Sequence, residues 1–319
     1  MAISVKSQRV LVTGAGGFIG QHFLRALDMT GVDIVAQSSR DDLIQAREIV
    51  RSTSQVNLAD FDCVFHLAGL AHAGARGASM TEMMDVNVNA TRALYEKALE
   101  ARVPRFIWLS STKVLGDVAE VPVGVNGEYR PEDMYAESKV RGEKALLELA
   151  HGDTLAIVRP PLVYGPGVKA NFLRLVRWAV SGRPLPLAGA TAPRAWLGVD
   201  NLCSLLIRLM QSGQNEISDD RSTGRYNRIW HVRDEQEVSV STLLRNVSDF
   251  ANRPLHLFRV PGSILRKSAT LIGLGDDAQR LLAPFRVDMS DTLTQLDWRP
   301  SVSHANGIKE VVAWYLAQS

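Results

Sequence analysis

The stretch "RVLVTGAGGFIGQHFLRAL", residues 9–27, decides the fold. It sets glycines at 14, 16, 17 and 20 between an apolar run and a helical pattern. Glycine inside an element costs roughly 0.5–1 kcal/mol relative to alanine, so such a cluster needs a cause. Val10-Leu11-Val12 reads as a buried strand, and Ile19, Phe23 and Leu27 recur every four residues as one face of a helix. A glycine-rich turn between them leaves unpaired backbone N–H groups at the helix start. Those groups and the helix dipole favour an anionic phosphate, and missing Cβ atoms let it approach. Gly14-x-x-Gly17-x-x-Gly20 is therefore a candidate dinucleotide turn; the competing reading is a tight turn packed on the sheet.

The rest of the chain agrees with an α/β protein. Strand patterns at 32–39, 63–69, 106–111 and 155–161 alternate with helical patterns, notably 82–102 and 134–150. Such alternation implies a parallel sheet with right-handed crossovers, covered on both faces. Between 41 and 60 the pattern is too short and poor to assign. After residue 161 prolines punctuate irregular segments, while 195–210 and 225–232 again read as sheet and helix. The expected fold is a doubly wound parallel sheet with a smaller, discontinuous C-terminal substrate lobe. Residues 1–163 form the nucleotide domain, with 195–212 and 225–250 returning to it; 164–194 and 251–319 make the lobe.

The 319 residues carry 36 basic and 34 acidic side chains, well mixed, for a net charge of +2. No basic block supports nucleic-acid binding. The apolar stretches are too short and too often charged to span a membrane. Only eight residues precede the first strand, which leaves no room for a secretory signal. Cys63 and Cys203 read as buried thiols in a reducing compartment, so a cytoplasmic enzyme is expected. His66 and His72 invite a metal reading, yet no cysteine or carboxylate stands at ligand spacing, so no metal site is assigned.

The chemistry concentrates in "PEDMYAESKVRGEKAL". Tyr135 and Lys139 are four residues apart and share a helix face. A phenol with a pKa near ~10 shuttles protons poorly at neutral pH, and a neighbouring ammonium favours the phenolate. The pair is a candidate general acid/base for alcohol–carbonyl interconversion. Ser111, ending a strand, would bind the reacting oxygen.

Six motifs in this order resemble the extended short-chain dehydrogenase/reductases, in the nucleotide-sugar epimerase/dehydratase group. They are Thr13-Gly14-Ala15-Gly16-Gly17-Phe18-Ile19-Gly20, His66-Leu67-Ala68-Gly69, Asn87-Val88-Asn89-Ala90-Thr91, Ser110-Ser111, Tyr135-x-x-x-Lys139 and Arg159-Pro160-Pro161-Leu162-Val163-Tyr164-Gly165-Pro166. The resemblance implies a Rossmann-type sheet, with nicotinamide nucleotide held by Gly14, Gly17, Phe18, Ile19, Gly20, Leu67, Ala68, Gly69, Asn87, Tyr135 and Lys139. It also implies that Tyr135 exchanges a proton with a sugar oxygen, that Lys139 holds the nicotinamide ribose and that Ser111 bonds the same sugar oxygen. Asn87 would support the helix near Lys139, or simply cap the helix that follows it. For a UDP-sugar substrate, Asn171 would meet the diphosphate and Arg194 would clamp it. Arg280 is a second candidate clamp and Arg286 a further one; a solvated surface charge is the alternative for each.

Two departures choose among reactions. Relatives that dehydrate sugars place an acid pair directly after the active-site hydroxyl; here stand Thr112 and Lys113, which argues against 4,6-dehydration. The second strand ends Ala36-Gln37-Ser38-Ser39-Arg40, where an NAD-preferring fold sets an acid for the ribose diol. Small hydroxyls and Arg40 suit a 2′-phosphate, so NADP(H) is favoured over NAD(H), unless Arg40 is a solvated loop charge. The leading expectation is a UDP-sugar C4 oxidoreductase, a 4-ketoreductase of a UDP-4-keto-6-deoxy-N-acetylhexosamine serving surface polysaccharide synthesis. The alternatives are a UDP-hexose or UDP-N-acetylhexosamine 4-epimerase and a non-catalytic NAD(P)-sensing protein. Apolar positions on the two long helices, including Leu94, Ala98, Leu146 and Leu149, further suggest a homodimer, with burial against the sheet as the alternative.

Overall fold

Val10, Leu11 and Val12 are completely buried, which a central strand covered on both faces requires. They lie in β1 (Arg9–Thr13), the middle of a sheet assembled from β2 (Asp33–Gln37), β3 (Glu48–Val50), β4 (Cys63–His66), β5 (Arg105–Leu109), β7 (Leu155–Arg159) and β10 (Ile229–His231). The structure is a computed structural model and describes residues 8–39, 43, 45–71, 78–212, 228–261 and 282–318. The sheet has seven strands in the order β10-β7-β5-β4-β1-β2-β3, and every pair is parallel. Chain order reverses between β1 and β4, which opens a crevice beyond their carboxyl ends.

Helices cover both faces. On one, α1 (Phe18–Asp28) and α6 (Val199–Gln211) pack through Phe23, Leu24, Leu202 and Leu206 onto Val10, Val12 and Phe65. On the other, α3 (Ala90–Glu100) and α4 (Met134–Leu149) bury Leu94, Ala98 and Leu146 beside Leu11, Trp108 and Ile157. Leu149 packs against the same cluster. These four apolar positions are thus occupied within a single chain, and they do not themselves argue for a second copy.

The helical pattern at 82–102 is compound: α2 (Met80–Met84) runs through a π turn, Asp85–Asn89, into α3. The segment 41–60, without a readable pattern, holds the short edge strand β3. A second cluster joins α5 (Ala170–Val180), α7 (Val240–Ala251) and the C-terminal helix His304–Leu316 around Tyr164, Phe172, Val176, Leu243 and Val311. So α7 packs with α5 and the C-terminal helix, while β10 just before it extends the main sheet. Two small parallel sheets tie the parts together: β8 (Leu162–Tyr164) with β9 (Trp196–Gly198), and β6 (Ala119–Val123) with β11 (Phe285–Val287). No helix of the described residues is long and apolar enough to cross a membrane.

Candidate active site

The three spaced glycines divide their work. Gly14 has φ +68°, and a Cβ there would sit 2.6 Å from the Ala68 backbone nitrogen, so only glycine fits. A Cβ on Gly20 would lie 2.4 Å from the Gly14 carbonyl oxygen. Gly14 lets the turn close on the segment after β4, and Gly20 lets α1 close on the turn. Gly17 is exposed and meets only that carbonyl, at 3.2 Å; it is the N-cap of α1, with no side-chain cap and no acid in the first turn. The free amides of an 11-residue helix therefore face the crevice, as an anionic phosphate requires. Phe18 and Ile19 follow, partly buried against the core.

The segment after β4 completes this side. Leu67 N donates to Thr13 O at 3.2 Å and Ala68 N to Thr13 Oγ1 at 3.3 Å. At Gly69 a Cβ would sit 3.0 Å from Asn87 Oδ1 and 3.2 Å from Lys139 Nζ, so the missing side chain keeps space beside the ammonium. Asn87 stands in the π turn. It donates to Ser138 Oγ at 2.9 Å and Leu70 O at 3.0 Å, and accepts from Leu70 N at 2.9 Å. Of its two readings the structure shows the support of α4, not a helix cap. His66 is buried with ring nitrogens 2.6 Å from Thr13 Oγ1 and 2.9 Å from Thr91 Oγ1, so it packs inside the sheet layer. Burial, aided by Lys139, pushes its pKa down to about 3.

The reacting groups converge from β5 and α4. Ser111 caps a short 3-10 turn, accepting from Lys113 N at 3.2 Å, and its hydroxyl stands where it acts on the Tyr135 phenol. Asp133 caps α4 by accepting from Ala136 N at 2.8 Å, which sets Tyr135 in the first turn and Lys139 one turn on. Lys139 Nζ donates to Leu109 O at 2.9 Å and lies 4.5 Å from the centre of the Trp108 ring. Burial pulls its pKa down to about 7, against the opposing pull of Glu143. Tyr135 moves the other way: burial pushes it up to about 12, with the Ser111 hydroxyl pulling down and Asp133 adding to the rise. Lys139, 5.9 Å from the Tyr135 ring centre, does not offset that burial. The expected lowering of the phenol is absent here because desolvation is the largest influence on its proton affinity.

Lys113, where dehydrating relatives carry an acid, is bound instead by Asp133 and lies 3.4 Å from Asp117. Thr112 beside it is buried. On the substrate side Asn171 is exposed in the first turn of α5. Arg194 bridges β11 and the 238 region through its backbone, and its guanidinium donates to Ala283 O at 2.5 Å. Arg286 pairs with Glu237 at 2.8 Å, a structural contact. Arg40, His72 and Arg280 lie outside the described residues.

Two groups escaped the sequence reading. Gln37 accepts from Gly14 N and donates to Arg51 O, both at 3.3 Å, while Arg51 donates to Ser38 O at 3.2 Å. A guanidinium thus borders the end of β2, reached through edge strand β3, whose sequence carries no clear pattern. The other group is the Glu143–Arg159 pair beneath Lys139, with partners 16 residues apart on different elements.

The nicotinamide nucleotide expected here fits this chain on its own geometry, through the open N-terminus of α1 and the space kept at Gly17 and Gly69. Comparison with known proteins agrees. The chain is 30% identical to the UDP-glucose 4-epimerase of Vibrio cholerae, over 96% of this chain and 95% of the relative. It is 23% identical to the GDP-6-deoxy-D-mannose reductase of Pseudomonas aeruginosa, over 96% and 97%. It superposes with a TM-score of 0.73 and 25% identity on MoeE5 in complex with UDP-glucuronic acid and NAD, over 98% of this chain and 100% of that one. A model of the NAD dependent epimerase/dehydratase family matches residues 10–223. The chain therefore belongs to that family of enzymes, among the extended short-chain dehydrogenase/reductases.

Proposed function

We propose that the protein is a UDP-sugar oxidoreductase acting at C4, working as a 4-ketoreductase of a UDP-4-keto-6-deoxy-N-acetylhexosamine. The convergence of Ser111, Tyr135 and Lys139 at the crevice carries this reading. A bound nicotinamide nucleotide supplies or accepts the hydride at the sugar carbon. Gly17 and the first amides of α1 would hold its pyrophosphate; Gly69, Asn87 and Lys139 would frame its ribose and ring. Ser111 would orient the C4 oxygen, and Tyr135 Oη would give it a proton. Asn171 and Arg194 would hold the UDP phosphates.

The absence of an acid at Gln37, Ser38 and Ser39, with Arg51 beside them, supports NADPH and hence net reduction over cofactor recycling. The reductase of Pseudomonas aeruginosa is in keeping with this. The second reading is a UDP-hexose or UDP-N-acetylhexosamine 4-epimerase, favoured by the likeness to the Vibrio cholerae enzyme. One experiment separates them. The purified protein is mixed with NADPH and a UDP-4-keto-6-deoxy-N-acetylhexosamine, and separately with UDP-glucose and UDP-N-acetylglucosamine. Stoichiometric loss of NADPH absorbance with the keto sugar supports the reductase. C4 inversion of either UDP-hexose without net NADPH loss supports the epimerase and overturns our first reading.

A further inference from the structure

One turn beyond Lys139, α4 buries a carboxylate. Glu143 accepts from Ser110 Oγ at 2.5 Å and Tyr129 OH at 2.8 Å, and from Arg159 Nε and Nη2 at 2.9 and 2.5 Å. Arg159 also donates to Val125 O at 2.9 Å, lies 3.4 Å from His231 Nε2 and sits 5.3 Å from the Tyr129 ring centre. The side chains of the pair are 0% and 1% exposed. Such a pair is weak evidence for stability, because apolar residues of the same volume often serve as well. Its contacts point elsewhere. Ser110 precedes Ser111 in the chain. Tyr129 and Val125 belong to the loop that leads into α4, and that loop packs on the turn after Ser111 through Arg130 N to Val114 O at 2.9 Å.

We propose that the Glu143–Arg159 pair is a positioning element for the reaction: it locks the Ser111 strand end and the 125–129 loop to α4, and it sets a buried carboxylate one helical turn from Lys139. This rests on the reading of Lys139 as the group that holds the nucleotide ribose. The groups around Lys139 are few. Tyr135 and Glu143 share its helix, His66 faces it from β4, and Trp108 and the Leu109 carbonyl from β5. Arg159 from β7 and Tyr129 from the loop reach Glu143. His66 is neutral at working pH, so the carboxylate is what opposes the burial of the ammonium. Removing that charge lowers the proton affinity of Lys139, which then loses its proton at lower pH.

The test uses Glu143→Gln, the neutral pair Glu143→Gln/Arg159→Gln, which leaves no unpaired buried charge, and Tyr129→Phe. Binding of NADH, with NADPH in parallel, is titrated by nucleotide fluorescence across the neutral to alkaline range, without sugar. In Glu143→Gln the alkaline loss of binding should move down by about half a pH unit or more, and in the double variant in the same direction by less, because the guanidinium is removed with the carboxylate. A uniform weakening at every pH, with the midpoint unmoved, would reduce the pair to a structural role and overturn the proposal. Tyr129→Phe should raise KM for the sugar nucleotide several-fold and leave NADH affinity at the wild-type value; an unchanged KM overturns the loop clamp. If neither glutamine variant folds, Tyr129→Phe decides alone. Because the NADH titration needs no sugar, a wrong sugar assignment leaves its outcome intact.

Discussion

Replacing Tyr135 with phenylalanine removes one oxygen and leaves the ring that packs beside Lys139. Turnover should fall by about 10²–10⁴, the usual worth of a general acid/base, while NADH binding holds. Steady-state kinetics beside a fluorescence titration checks both halves, and half the wild-type kcat would contradict the role. Arg194→Ala acts on a group remote from the reacting carbon, so it should raise KM more than it lowers kcat. A charge-assisted contact is worth about 1.5–3 kcal/mol, so UDP affinity by calorimetry should drop roughly ten- to a hundredfold. The identity and spacing of Ser111, Tyr135 and Lys139 were readable from the chain. Their proton affinities were not, since these depend on how deeply α4 is pressed against β5. The same holds for Arg51, whose place beside Ser38 exists only once β3 pairs with β2.

At the scale of the strand–turn–helix unit, two glycine substitutions should part company. Gly14→Ala puts a Cβ on a left-handed backbone against the Ala68 nitrogen, so chemical denaturation should show a loss of about 2 kcal/mol or more. Gly17→Ala should unfold close to wild type yet bind NADH markedly less well, because its Cβ meets only the Gly14 carbonyl, at 3.2 Å, and stands at the N-cap of α1, where the pyrophosphate would approach. Equal effects on stability would contradict this division. The buried strands and long helices were legible because apolar runs and four-residue periodicity record burial directly. Edge strand β3 was not, since Glu48-Ile49-Val50 is only half covered. Nor was the π turn at 85–89, because a register shift inside a helix leaves the apolar spacing nearly unchanged. The Glu143–Arg159 pair lacked any local period that could announce it.

The whole molecule should be acid-sensitive for a stated reason. Burial, helped by Lys139 for one and Arg159 for the other, holds His66 and His231 neutral, with pKa values pushed down to about 3 and 4 from 6.5. Below pH 6.5 the unfolded chain takes up these two protons and the folded one does not, so stability falls as pH drops from 6.5 towards 4. Two such groups give a slope approaching about 2.7 kcal/mol per pH unit. Urea midpoints at pH 7, 6 and 5 test it, and a flat series would contradict the burial of both rings. The second lobe was the least legible part, since its core joins α5, α7 and the C-terminal helix from three distant stretches.

Phe18 belongs to this scale too, because its ring packs against the sheet-side cluster and the second-lobe cluster alike. It is also the first residue of α1, directly after Gly17, the glycine that ends the nucleotide turn. The two halves are consequently not interchangeable parts. A chimera that grafts the sugar-side half of a relative onto this sheet would inherit a mismatched socket for that ring, and the misfit would surface at the phosphate end of the crevice rather than at the graft.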